Sequence, residues 1–270
     1  MKISQKAIAK IERRAETMSE WKANAEQAYN DRCATPAGKA ESFIAADGER
    51  VQAVHVTIPS PDHKLADMLG INTSVTNNPY CIARRAAALK RGDLDCVCLK
   101  CYAENLLCCF KPTELAALYN QHILTSHLLT DEEIAAINLN TDKVRFEMFG
   151  DVSNVTQARN YIRIAKANKY TAFGAWSKNW NLWLQAFAAE GKPENLTFVY
   201  SSYHLDKVDE VPAAIDPYVD YVFTVCSDKN KYNAFLAAYA DSAPCAGISC
   251  NRCAHCYHRG NNRYVFELLR

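Results

Sequence analysis

Four stretches in the second half of the chain alternate or run apolar over strand length: "KVRFEMFGD" (143–151), "KYTAFGAWSK" (169–178), "NLTFVYSSY" (195–203) and "YVDYVFTVCSD" (218–228). Their β-branched and aromatic content predicts strands. Between them lie "VTQARNYIRIAKAN" and "NWNLWLQAFAAEG", where apolar residues fall at helical spacing; "KNKYNAFLAAYA" follows the last strand. Successive strands begin roughly 26 residues apart, the spacing of βαβ units. The predicted fold class is α/β: a parallel sheet, either open or rolled into a partial (β/α) barrel.

The first half is less regular. Residues 3–30 place Ile3, Ala7, Ile8, Ile11, Ala15, Met18 and Trp21 near a 3.6 period, predicting an N-terminal helix, packed on the domain or serving as a partner-binding arm. The connector "TPAGKAES" follows, then "VQAVHVTIP", which reads as a strand stopped by Pro59. The expected organisation is a helical segment over 1–40 and one α/β domain over 41–270, with cysteine-rich loops at 81–101 and 245–256.

Composition bounds the function classes. The 270 residues are 49% hydrophobic and 23% charged with a net charge of +1, ordinary for a soluble globular protein and no signature of a nucleic-acid binder. No apolar run approaches the ~18 residues that span a membrane, and the N-terminus lacks the continuous apolar core of a signal peptide. A cytoplasmic location is therefore expected, where the twelve cysteines would not be disulfides. Cys33, Cys108 and Cys109 read as small buried apolar residues.

The other cysteines are clustered. Cys245, Cys250, Cys253 and Cys256 are spaced C-x4-C-x2-C-x2-C. Structural zinc sites generally use two C-x2-C pairs across a long loop. Consecutive x2 spacings instead wrap a short loop around a larger object, as in ferredoxin loops that hold a [4Fe–4S] cluster. Cys81, Cys96, Cys98 and Cys101, upstream, form the first group along the chain, C-x14-C-x-C-x2-C, where zinc competes more strongly with iron–sulfur because Cys81 stands off; Cys245 to Cys256 are the second. The two groups could hold one cluster each or pool ligands around one. His255 and His258 lie beside the second group and could replace a cysteine ligand. "CYAENLLCCF" reads as a helix leaving the first.

The predicted strands end in small polar or charged residues: Gly150-Asp151, Ser177-Lys178, Ser201-Ser202 and Cys226-Ser227-Asp228. Parallel α/β proteins bind ligands at the carboxyl ends of their strands, although such residues also cap the helices that follow. Asp151, Lys178 and Asp228 are the candidate catalytic contacts, with Cys226 as a thiol participant. Gly150, Ser177 and Ser202 are the candidate ligand-binding positions.

"CVCLKCYA" (96–103), "VRFEMFGDVSN" (144–154) and "CNRCAHCY" (250–257), in this order, resemble the phage "gene product 88" family, over roughly residues 64 to 258. A more distant resemblance is to radical S-adenosylmethionine enzymes, in which a cluster motif precedes an aromatic-rich helix and a Gly-rich strand end holds the cofactor. Here Cys98, Cys101 and Tyr102 match the latter part of that motif, and Gly150-Asp151 stands at the strand end. The first spacing departs from it, being C-x-C rather than C-x3-C. Cys81 moreover offers a fourth ligand, which would leave no open iron for S-adenosylmethionine. The resemblance implies an iron–sulfur redox enzyme acting on a small-molecule substrate with an electron donor. The competing expectation is a metal-stabilised, phage-derived binding or effector protein without catalysis. Its partner could be nucleic acid, met by the basic-aromatic stretches "KNWNLW" and "HRGNNRYVF".

Overall fold

The computed structural model describes residues 18–62, 64–245, 247 and 249–269. Helix α1 (Met18–Cys33) buries Trp21, Ala25 and Ala28 and packs along α5 (Lys111–Ser126), with Tyr29 stacked on Tyr119 at 5.5 Å. The part of the expected helix before Met18 lies outside the described residues. The connector is not a plain loop: Thr35 caps a short helix α2 (Pro36–Ala40), its hydroxyl accepting from Gly38 N. The strand expected over 51–59 is shorter than its pattern. A hairpin of β1 (Ser42–Ile44) and β2 (Arg50–Gln52) uses its first residues, and Thr57 then bridges antiparallel to Gly70.

The core of the molecule is a seven-stranded parallel sheet in the order β3-β4-β5-β6-β7-β9-β8. Its strands are β3 (Leu69–Ile71), β4 (Lys143–Phe146), β5 (Ala172–Ser177), β6 (Leu196–Ser201), β7 (Tyr221–Cys226), β8 (Ser242–Cys245) and β9 (Tyr264–Leu268). The four strands read from the pattern form its centre. The strand β3 and the last pair β8–β9 extend it.

One face packs against α7 (Val155–Ala167) and α8 (Trp180–Glu190). Phe146 lies between Tyr161 (4.4 Å) and Phe173 (5.0 Å), all fully buried. Burying each such ring is worth about 1.5–3 kcal/mol. The opposite face carries Arg145, Gly174, Trp176, Val199, Tyr221 and Val265, and the cysteine-bearing loops cover it. Gly174 lets them come close: a Cβ there would stand 2.8 Å from the Tyr257 ring.

The sheet is open, with β3 and β8 as its edges. Its ends are nevertheless drawn together across the loop-covered face. Lys64, ahead of β3, donates to Glu267 of β9 (2.5 Å) and accepts from Cys250 N (2.8 Å). Among the described residues no helix is long and apolar enough to cross a membrane.

The chain from β3 to β4 carries α3 (Pro79–Arg91), a 3-10 turn (Val97–Lys100), α4 (Tyr102–Cys109), α5 and α6 (Asp131–Ala135). Cys108 and Cys109 were expected in the core, but Cys109 is exposed and Cys108 half-buried. The helix turns Ala103 and Leu107 inward instead, four residues apart on one stripe.

Candidate metal and substrate site at the strand ends

Because all seven strands are parallel, their carboxyl ends share one rim. Asp151, five residues past the end of β4, is buried there. Its carboxylate accepts from Ser177 Oγ (2.5 Å), Val152 N (2.9 Å), Lys178 N (2.8 Å) and Asn179 N (3.1 Å). Burial pushes its carboxyl up, and Ser177 and Lys178 oppose that shift. Lys178 Nζ donates to Ser201 Oγ at 2.6 Å. Tyr203 OH donates to the Lys178 carbonyl (2.5 Å) and meets Tyr80 OH at 3.1 Å, while Arg84 stacks 4.0 Å over the Tyr203 ring. Asp151, Ser177, Lys178 and Ser201 thus form one bonded network.

The turn from β4 to Asp151 is held from inside. Glu147, at φ +56°, accepts from Tyr161 OH (2.6 Å), Gln157 Nε2 (2.7 Å), Thr73 Oγ1 (2.7 Å) and Thr73 N (3.0 Å). Complete burial pushes its carboxyl up to about 8, against those four donors. Gly150, at φ +138°, leaves room for it: an added Cβ would stand 2.2 Å from Glu147 Oε2.

The first cysteine group sits above this rim. Val97 N donates to the Tyr203 carbonyl (2.8 Å), Leu205 N to the Asp95 carbonyl (2.9 Å), and Cys96 bridges to His204. His204 lies between Asp93 (3.1 Å) and Asp209 (3.2 Å), tying the loop to the end of β6. Cys81 occupies the first turn of α3, where Asn78 Oδ1 accepts from Tyr80 N and Cys81 N. The Asn78 amide donates to the Asp151 carbonyl (2.6 Å). A bond from the Cys98 thiol holds the Cys96 thiol down. Cys98 is pushed well up by that bond and by burial, and it feels Lys178, Cys96 and Cys81. Burial pushes Cys81 up, with Asp151 and Cys101 among its neighbours.

The second group lies in the crossover from β8 to β9. Cys245 ends β8, and α10 (Cys250–Cys253) carries two more thiols. Burial pushes Cys256 up to about 12, and it feels Cys245, Cys250 and Cys253 together. Arg145, over the Trp176 ring at 4.0 Å, opposes the upward shifts of Cys250 and Cys256. Cys81, Cys101 and Cys250 pack against one apolar cluster containing Met148, Phe149 and Tyr257, so both groups open on the same face.

Among the described residues no three Cys, His, Asp or Glu side chains close on a point that could hold a single ion. A tetrahedral zinc would bring thiolates to ~3.8 Å of one another. Cys256 feels Cys245, Cys250 and Cys253, and Cys81 feels Cys101, with Arg84, Arg85 and Lys178 beside the first group and Arg145 and Lys64 beside the second; clustered thiols next to cations are a donor set of the chemistry an anionic iron–sulfur cluster takes. Among the described residues, six of the nine buried side-chain atoms without a hydrogen-bond partner lie in the same places: Arg84 Nε and Arg85 Nε by the first group, and Arg145 Nε, Ser249 Oγ, His255 Nε2 and Tyr257 OH by the second. Such orphans are rare in finished interiors. The residues present fit a bound group of this kind.

The sequence-derived candidates divide. Gly150, Asp151, Ser177 and Lys178 come together on the rim beneath Cys98. Ser202 faces away, bonded to Thr224 Oγ1 at 2.8 Å. Asp228 is a helix cap, accepting from Asn230 N and Lys231 N at the start of α9 (Lys229–Ala238). Cys226 is buried, its thiol pushed up to about 11 by burial, then by Asp206 and Asp228. In the stretches offered as base-stacking surfaces, Trp183 and Phe266 are buried, and Tyr264 packs on Tyr239 at 4.7 Å. The sequence reading missed Glu147, Asn78, Tyr80, Arg84 and Tyr203. Only Glu147 left a signal, a charge inside the apolar run "RFEMF".

Comparison of the chain with protein-family models, curated proteins and solved structures finds no match.

Proposed function

We propose that this chain is an iron–sulfur redox enzyme of radical-S-adenosylmethionine-like design. Cys98 and Cys101, joined by Cys96 and Cys81, would hold a [4Fe–4S] cluster over the strand-end rim. Cys245, Cys250, Cys253 and Cys256 would hold a second metal group. The supporting observation is the placement of the first loop. It is tied to the end of β6 by Val97, Cys96 and His204, with Cys98 in the field of Lys178.

A cluster there supplies single electrons. The chain's own residues do the rest. Lys178 gives one ammonium proton to Ser201 and keeps further donors for an anionic or hydroxyl group of a small substrate. Asp151 fixes the backbone of Lys178 and Asn179 and so sets where that ammonium points. Tyr203 bonds the Lys178 carbonyl, with Tyr80 and Arg84 against it, so these side chains adjoin the lysine. Cys81 would decide the use of S-adenosylmethionine: as a fourth ligand it would leave no open iron, and as a free thiol it would leave room for the cosubstrate's amino and carboxylate groups.

The test is anaerobic purification of wild type and of the Cys98→Ser/Cys101→Ser double variant. Wild type should be brown, with acid-labile sulfide and an electron paramagnetic resonance signal on reduction. The double variant should lose one cluster's iron, about four atoms. Colourless wild-type protein with stoichiometric zinc would replace this proposal with a metal-stabilised binding protein.

A further inference from the structure

Lys64 reaches the second cysteine group from the far end of the sheet. Its Nζ donates to Cys245 Sγ at 2.9 Å and to Glu267 Oε1 at 2.5 Å, and its carbonyl accepts from Cys250 N at 2.8 Å. One residue from the chain before β3 therefore contacts the end of β8, the start of α10 and the next-to-last residue of β9. The side chain is mostly buried, 20% exposed, and so is Glu267 at 23%. Nothing in the sheet's own hydrogen bonding needs it: β8 and β9 are paired over four residues without it. A lysine pays side-chain entropy to be held this way, and it is shared between a thiol and a carboxylate rather than committed to the carboxylate alone.

We infer that Lys64 is a positioning residue of the C-terminal metal site, donating a charge-assisted hydrogen bond to the ligand sulfur of Cys245 and thereby raising the reduction potential of the cluster held there. This rests on the iron–sulfur reading above. The physical argument is general. A thiolate that accepts a hydrogen bond from a cation donates less charge to its iron, which favours the reduced cluster. Glu267 acts in the opposite sense, because its carboxylate shares the ammonium and offsets its charge. The pair thus makes two predictions of opposite sign from one geometry. The first cysteine group should be affected by neither, since it is ringed by Arg84, Arg85 and Lys178 instead.

The experiment is a redox titration, followed by electron paramagnetic resonance, of anaerobic full-length wild type, Lys64→Met, Lys64→Arg and Glu267→Gln. Iron and sulfide are counted in each. Cys253→Ser identifies which signal belongs to the C-terminal group. Lys64→Met should move that signal alone to more negative potential, by about a tenfold change in the one-electron equilibrium, ~59 mV. Lys64→Arg should restore most of the shift, and Glu267→Gln should move the signal the other way. A merely structural Lys64 would change melting and leave the potential in place. If Lys64→Met loses its C-terminal iron, Glu267→Gln decides: an unmoved potential there overturns the inference. Full iron with unmoved potentials in both variants overturns it as well. Wild type from which Cys253→Ser removes no iron overturns the metal reading itself, a different failure with a different variant.

Discussion

Glu147→Gln removes a fully buried carboxyl while keeping its shape. Burial raises the Glu147 carboxyl from 4.5 to about 8. Its charged form is therefore disfavoured in the folded state relative to the unfolded chain. The sign follows from linkage. The group's contribution is intact below pH ~4.5, and it is lost progressively as pH rises through about 8. At ~1.4 kcal/mol per pH unit, the whole rise corresponds to about 5 kcal/mol, an upper limit because water entry and local relaxation would relieve part of it. That is a large share of the 5–15 kcal/mol by which domains are stable. The assay is urea denaturation of wild type and Glu147→Gln at half-unit steps from pH 5 to 8.5. The difference between the two curves cancels the cysteines and the other carboxyls. Wild type should lose stability relative to the variant across this range, most steeply between pH 5 and 8. Parallel curves would refute the reasoning. They would mean that the four donors from Tyr161, Gln157 and Thr73 already offset the burial, and that Glu147 is an ordinary carboxylate.

Other outcomes follow from the same contacts. Gly150→Ala should destabilise by about 1–3 kcal/mol from backbone strain at φ +138°, with more from the Cβ that would crowd Glu147; calorimetry reads it, and an unchanged melting point would contradict the geometry. Cys253→Ser should remove a cluster's iron and loosen the last ~30 residues, since metal binding in such loops is folding energy; unchanged iron and unchanged proteolysis of that segment would count against the ligand assignment. Asp228→Ala should cost about 1 kcal/mol as a lost helix cap and leave iron content unaltered; lost iron or altered turnover would return Asp228 to the site.

The central strands were legible because each alternates or runs apolar over at least four residues, and β4, β5 and β7 are each followed by a helix. The strands β3, "LGI", and β8, "SAPC", carry no such pattern. They exist because neighbouring strands offer hydrogen bonds, not because their own residues demand a strand. In β9, "YVFEL", the alternation was present, but the arginine before it and the aromatic residues drew a surface reading. Phe235 and Tyr239 of the preceding segment bury those aromatic rings. The rim was half legible. Asp151, Ser177 and Lys178 stand where a parallel strand ends, and that position alone brings them together. Asp228 ends a strand too, but its local helix takes the carboxylate. Glu147 and Asn78 were not legible as a pair of braces, because their partners lie 74 residues away at Thr73 and 73 residues away at Asp151. The cysteine spacings pointed to metal but could not tell which face the C-terminal group would take. That depends on a crossover between two strands that the pattern did not predict.

The central claim is that the first cysteine group holds an iron–sulfur cluster above the carboxyl ends of β5 and β6. Anomalous diffraction from crystals grown without oxygen, collected at the iron and zinc absorption edges, tests it most directly. The account predicts iron peaks in bonding distance of Cys98 and Cys101 Sγ, on the side of Lys178 and Asp151. A zinc peak at that position, or Cys98 and Cys101 as free thiols with iron elsewhere, would contradict it.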